Sequence, residues 1–238
     1  MPIALRLALT PPQAVTETDA TLWPGGDGEQ AAVILAPGAG TDQRGPVLRR
    51  IAEGVAEAGH PVLTFNFAYT QAGRRRPDPA GRLLAAWADV IARARERLGT
   101  ARPLVIGGRS MGGRMASLLA AEDGGACQGL LLLGYPLHPA GQPDRLRTSH
   151  WPRLRVPVLF VQGDRDALCP LDVLERERAA HMGRICSDVH VVTGADHSFG
   201  VRKRDGRDPG EVLDEVIQAS IAWLDCLRTT KRVIKPYR

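Results

Sequence analysis

The segment GGRSMGGR, residues 107–114, sets Ser110 between Gly108 and Gly112 and follows directly on the apolar run PLVI. Glycine at both second neighbours suits a serine held on a sharp strand-to-helix turn. Side chains there would collide across the turn, and the backbone of the serine itself is strained. Such a turn lifts the hydroxyl above the end of a sheet and points the first amides of the next helix at developing negative charge. The competing reading is a glycine-rich loop that happens to contain a serine. A hydroxyl becomes a useful nucleophile only when a base takes its proton, and six histidines are available. His60 precedes a strand pattern, His181 falls in a helical one, His190 lies within a strand pattern and His150 has no clear strand before it. His197, in VHVVTGADHSF, is delivered by a short loop after the last strand pattern and is the expected base.

The imidazole in turn needs a carboxylate to fix its tautomer and stabilise its charge. Asp166 in FVQGDRDALCP is the expected partner. Asp164 would more naturally brace the turn, and Asp196 is adjacent to His197, where consecutive side chains diverge. A tetrahedral oxyanion needs two donors aimed at it. The amide of Met111 is one, and the loop LAPGAGTD offers the amides of Ala39 and Gly40 as the other. Glycines after a strand also simply permit a tight turn, so that loop has a plain reading as well.

These residues need a scaffold that gathers them. IALRLAL, residues 3–9, alternates apolar and other residues with the period of a half-buried edge strand. A turn-rich stretch follows. Continuous apolar runs at 31–36, 61–67, 103–108 and 129–135 read as strands covered on both faces, with two more strands at 157–163 and 187–194. Helical periodicity lies between them, in PVLRRIAEGVAEAG, LLAAWADVIARARERLG, MASLLAAED, LDVLERERAAHM and EVLDEVIQASIAWLDCL. Strand and helix alternating throughout predicts an α/β fold, a mostly parallel doubly wound sheet flanked by helices. In such sheets the chemistry collects at the carboxyl ends of the strands, where Ser110, Asp166 and His197 are all expected.

The chain has 238 residues, enough for one large domain. The expected organisation is a single domain over 1–228 with a basic tail over 229–238. Four dispersed cysteines without a C-x-x-C pair argue against a zinc knuckle or a disulfide framework and read as free thiols of a reducing cytoplasm. The net charge of +5 is spread along the chain and mixed with 26 acidic residues, so nucleic acid is not expected as a partner. No secretory signal, membrane span, metal or organic cofactor is expected.

With these residues placed, the sequence resembles the α/β-hydrolases, in which the order serine, aspartate, histidine is the expected one. LAPGAGTD, FNFAYTQAGRRRPD, GGRSMGGRMAS, LGYPLHPAG, VPVLFVQGDRD and GADHSF resemble a small cap-less hydrolase family related to dienelactone hydrolases. That family includes a testis-expressed mammalian protein and a subunit of a nuclear histone-acetyltransferase complex. The resemblance covers most of residues 31–225 and implies Ser110 as nucleophile, Asp166 as acid and His197 as base. The chain departs from the family's frequent His-Gly at Pro37-Gly38 and from its FNFPY at FNFAY, and neither change removes a backbone donor. Its serine also departs from the cysteine of true dienelactone hydrolases.

About twenty residues with four prolines separate Leu133 from Val156, too few for a lid domain, so an open site without a cap is expected. Candidate substrate contacts are Arg75 in the Arg74–Arg76 run, Tyr69 and His138. A solvated charge run is the plain reading of the arginines, and His138 has the alternative of bracing its own turn. The expected activity is a serine hydrolase cleaving a small-molecule carboxylic ester or thioester. The rivals are a hydrolase-fold interaction protein with an unused triad, and a small peptidase or amidase.

Overall fold

The computed structural model describes residues 1–230 except 27, 100 and 125, and no side chain beyond 227. Eight strands form one sheet: β1 (Ile3–Ala8), β2 (Glu17–Trp23), β3 (Ala32–Ala36), β4 (Val62–Phe65), β5 (Leu104–Arg109), β6 (Gly129–Leu133), β7 (Val158–Gly163) and β8 (Ser187–Val192). Their spatial order is β1-β2-β4-β3-β5-β6-β7-β8. The six strands from β4 to β8 in that order are parallel, while β2 runs antiparallel to both β1 and β4.

The central strands are largely apolar because both faces are covered, and β3 and β6 carry no polar side chain. Ile34, Phe65, Ile106, Leu132 and Phe160 pack on one side with Trp87 of α3 (Ala80–Leu98), Met115 of α4 (Met111–Glu122) and Leu174 of α5 (Leu171–His181). Val33, Leu35, Val105, Leu131 and Val161 face the other way, onto Ile51 and Val55 of α1 (Pro46–Glu57) and Val216 and Leu224 of α6 (Pro209–Thr230). Each such side chain contributes about 1.5–3 kcal/mol by leaving water. A strand sandwiched in this way has no solvent face on which to show polar alternation. The edge strand β1 does alternate, with Leu7 buried and Arg6 exposed.

Two elements lie where no regular structure is expected from sequence. β2 occupies part of the turn-rich stretch after β1, with Thr18, Ala20 and Trp23 inward. Its mixed composition hides a strand that is stabilised by pairing between β1 and β4. The single turn α2 (Ala68–Gln71) follows β4 and is too short to carry a periodicity. α4 also begins four residues before the expected MASLLAAED, immediately after Ser110. α6 continues to Thr230, two residues into the expected tail, and residues 231–238 lie outside the described residues. Among the described residues, no helix is long and apolar enough to cross a membrane.

Candidate active site

Ser110 sits between the end of β5 and the first residue of α4 with φ 51° and ψ −115°, a left-handed conformation that a residue other than glycine adopts at a cost. The glycines around it are required by contact. A Cβ at Gly108 or Gly112 would run into the backbone of Ala36 at the end of β3. The turn is held from below by the Ser110 amide, which donates to the carbonyl of Leu133 at 2.9 Å. The strand-to-helix turn expected from GGRSMGGR is therefore the geometry found.

Neighbouring strand ends bring the partners. Ser110 Oγ lies 2.9 Å from His197 Nε2, and His197 Nδ1 lies 2.7 Å from Asp166 Oδ2. Residues separated by 87 and 31 positions in sequence thus form one hydrogen-bonded chain. Asp166 is 3% exposed and its carboxylate is fully engaged. Oδ1 accepts from the Leu168 amide at 2.8 Å, and Oδ2 also accepts from Gln162 Nε2 at 2.5 Å. These donors fix the orientation of the carboxylate, and an acceptor oxygen set against Nδ1 leaves Nε2 to face the serine hydroxyl.

Asp164 braces its turn as expected, and Asp196 does not reach His197 but braces its own loop. Asp164 accepts from the Gly194 amide, and Asp196 accepts from the amides of Ser198 and Gly200 within its own loop. Four of the other histidines are engaged elsewhere. His60 contacts the Ala31 carbonyl, His181 pairs with Glu177, His190 with Glu215, and His150 Nε2 lies 2.8 Å from Ser117 Oγ.

Two residues not expected from sequence complete the arrangement. Gln162 is wholly buried; it accepts from the Tyr135 amide with its carbonyl and donates to Asp166 with its amide. Its signal was available, as the polar residue inside the apolar run VLFVQG. Arg109, between Gly108 and Ser110, donates to Ser198 Oγ beside His197. Burial lowers the Arg109 pKa, and the charges of Asp196 and Asp166 oppose that effect.

The loop after β3 approaches the serine closely: a Cβ at Gly38 would stand 3.6 Å from the Ser110 Cβ. Ala39 lines a cavity of about 380 Å³ together with Ser110 and Met111. The amide of Met111 belongs to the first turn of α4, where amides have no partner within the helix. Gly40 does not serve as expected, because its amide already donates to the Tyr69 hydroxyl at 3.2 Å. That bond also corrects the expectation for Tyr69, which is 0% exposed and supports the loop from beneath instead of touching substrate. Arg75 is exposed and is not among the described residues lining the cavity. His138 lines it, and its Nδ1 donates to the Pro139 carbonyl at 2.9 Å, which braces its own turn.

A family model described as an alpha/beta hydrolase domain matches residues 29–225. Among solved structures, a dienelactone hydrolase from Anabaena variabilis superposes with a TM-score of 0.71 at 21% identity, covering 94% of this chain and 96% of the other. A serine hydrolase without a lid from Xanthomonas campestris gives 0.65 at 17% identity, over 93% and 94%. Est1E from Butyrivibrio proteoclasticus gives 0.68 at 14% identity, over 92% and 98%. At these identities the structural likeness establishes the fold.

Proposed function

The chain belongs to the alpha/beta hydrolase domain family, and from that premise we propose that it cleaves carboxylic esters or thioesters through an acyl-enzyme on Ser110. The observation that carries this reading is the unbroken chain from Ser110 Oγ through His197 to Asp166, with contacts of 2.9 and 2.7 Å.

In the proposed reaction, His197 Nε2 takes the Ser110 proton as Oγ attacks the carbonyl carbon. The imidazolium so formed is stabilised by Asp166, whose charge is held in place by Gln162 and the Leu168 amide. The tetrahedral oxyanion is stabilised by the amides of Met111 and Ala39, with Tyr69 holding the second loop in position through Gly40. His197 then protonates the leaving oxygen or sulfur, which breaks the bond to the acyl carbon. Water, deprotonated by the same nitrogen, attacks the acyl carbon; the bond to Oγ breaks as His197 returns the proton to Ser110, and the acid is released.

Labelling by a fluorophosphonate probe tests the nucleophile. Wild-type protein is expected to be labelled and Ser110→Ala is not; an unlabelled wild type would overturn the reading in favour of an interaction protein. Comparing matched esters, thioesters and amides then separates an esterase from an amidase.

A further inference from the structure

The cavity beside Ser110 carries positive charge that the reaction described above does not use. Arg114 lies one helical turn beyond Ser110 on α4, a rise of about 6 Å, and Arg147 enters from the connection between β6 and β7. Both are half-buried, and both line the cavity that Ser110 and Met111 share. They also line a second cavity, of about 430 Å³, on their far side. The guanidinium groups therefore stand between two open spaces.

Among the described residues, no ion pair joins either arginine to a carboxylate. Among the described residues lining the first cavity the one acid, Asp78, is committed to Arg74 at 2.8 and 3.2 Å. Burial and the neighbouring charge of Arg114 lower the pKa of Arg147, so the two cations oppose one another without a counter-charge. The buried Nε of Arg114 also has no hydrogen-bond partner. Half-buried cations without a counter-charge around one space are costly until an anionic ligand engages them.

The position of the cavity says which part of a substrate it receives. Ser110, which would carry the acyl group, and Met111, whose amide would face the oxyanion, both line it. The acyl part, which stays on Ser110, is the part that extends towards Arg114.

We infer that Arg114 and Arg147 form a carboxylate-binding subsite for the acyl chain, so that the preferred substrates are half-esters or half-thioesters of dicarboxylic acids. The planar fork of arginine matches a carboxylate with paired hydrogen bonds, which a neutral chain end cannot supply. This inference rests on the assignment of Ser110 as the nucleophile.

The test compares two esters of the same acyl chain, mono-p-nitrophenyl adipate and p-nitrophenyl methyl adipate, whose carboxylate is masked. Wild-type kcat/KM is expected to favour the free acid by roughly tenfold or more, the size of one charge-assisted pair. In Arg114→Gln and Arg147→Gln that ratio should collapse towards one, mainly through KM of the free acid. Fluorophosphonate labelling of each variant reports whether its active site is still assembled, so a loss of preference is separable from misfolding. Labelled wild-type protein that hydrolyses both esters with a ratio near one overturns the subsite alone. So does a preference that survives in both variants. A wild type that is neither labelled nor active on either ester overturns the nucleophile assignment and the subsite with it.

Discussion

Arg109, the residue before Ser110, donates to the hydroxyl of Ser198, the residue after His197. The two halves of the proposed proton-transfer pair are thereby tied together by their own chain neighbours. The bond spans 89 positions of sequence and sets the loop of His197 against the end of β5. Arg109→Met should keep most of the aliphatic stem while releasing that loop. The expected result is a ten- to hundredfold lower kcat with a small change in KM, because transition-state alignment is lost and ground-state binding is not. A fall confined to KM would count against a positioning role.

Asp166→Asn preserves the size of the side chain and replaces the acceptor facing His197 Nδ1. The amide no longer selects the tautomer that leaves Nε2 free for Ser110, and it cannot stabilise the imidazolium. A loss of roughly 10³–10⁴ in kcat is expected, by analogy with the same substitution in serine proteases. Circular dichroism should remain that of the wild type, and a variant within tenfold of wild-type kcat would exclude Asp166 as the orienting acid.

Two glycines should respond in opposite ways to alanine. A Cβ at Gly112 would meet the backbone of Ala36 and Pro37, neither of which is a flexible side-chain end. Gly112→Ala is expected to cost about 1–3 kcal/mol in urea unfolding and to slow labelling of Ser110. At Gly81, in the first turn of α3, nothing lies within 4 Å of an added Cβ. Gly81→Ala should therefore be neutral or stabilising by up to about 1 kcal/mol.

Burial, aided by the charges of Arg114 and Arg153, lowers the pKa of His150 to about 4. Unfolded histidine titrates near 6.5. Above that pH the group is neutral in both states and stability does not depend on it. Between pH 6.5 and 4 only the unfolded chain takes up the proton, so stability declines as pH falls, by an amount on the order of 3 kcal/mol. His150→Gln should be less stable at pH 7, where it disturbs the contact with Ser117, yet decline less steeply towards pH 4. Melting temperatures measured for both proteins across that range check this, and parallel curves would dismiss His150 as the source.

Much of this architecture can be read from residues because it depends on local rules. Continuous apolar runs such as LVI before Gly107, bounded by turn residues, read as strands covered on both faces, and the spacing of Gly108, Ser110 and Gly112 describes a turn with no room for side chains. The connection of Asp166 and His197 to Ser110 follows from their place after successive parallel strands. What stays hidden depends on partners distant in sequence. β2 is a strand because β1 and β4 flank it, and ETDATLW carries little of that information. Gly40 looks like a donor until Tyr69, 29 residues later, is found accepting its hydrogen. Arg75 and Arg114 are equally arginine in the sequence, and only the packing of the Pro136–Ala140 segment and Arg147 around α4 shows which of them borders the cavity.

The short β6–β7 connection, with no domain folded over the strand ends, bears on how the protein would meet an oily substrate. Lipases with mobile covers switch on at a droplet surface because the interface pays for opening the cover. Among the described residues no domain covers Ser110, so no such trigger is expected. Rates on a sparingly soluble ester should follow a smooth saturation curve through its solubility limit, without a jump at the onset of micelles.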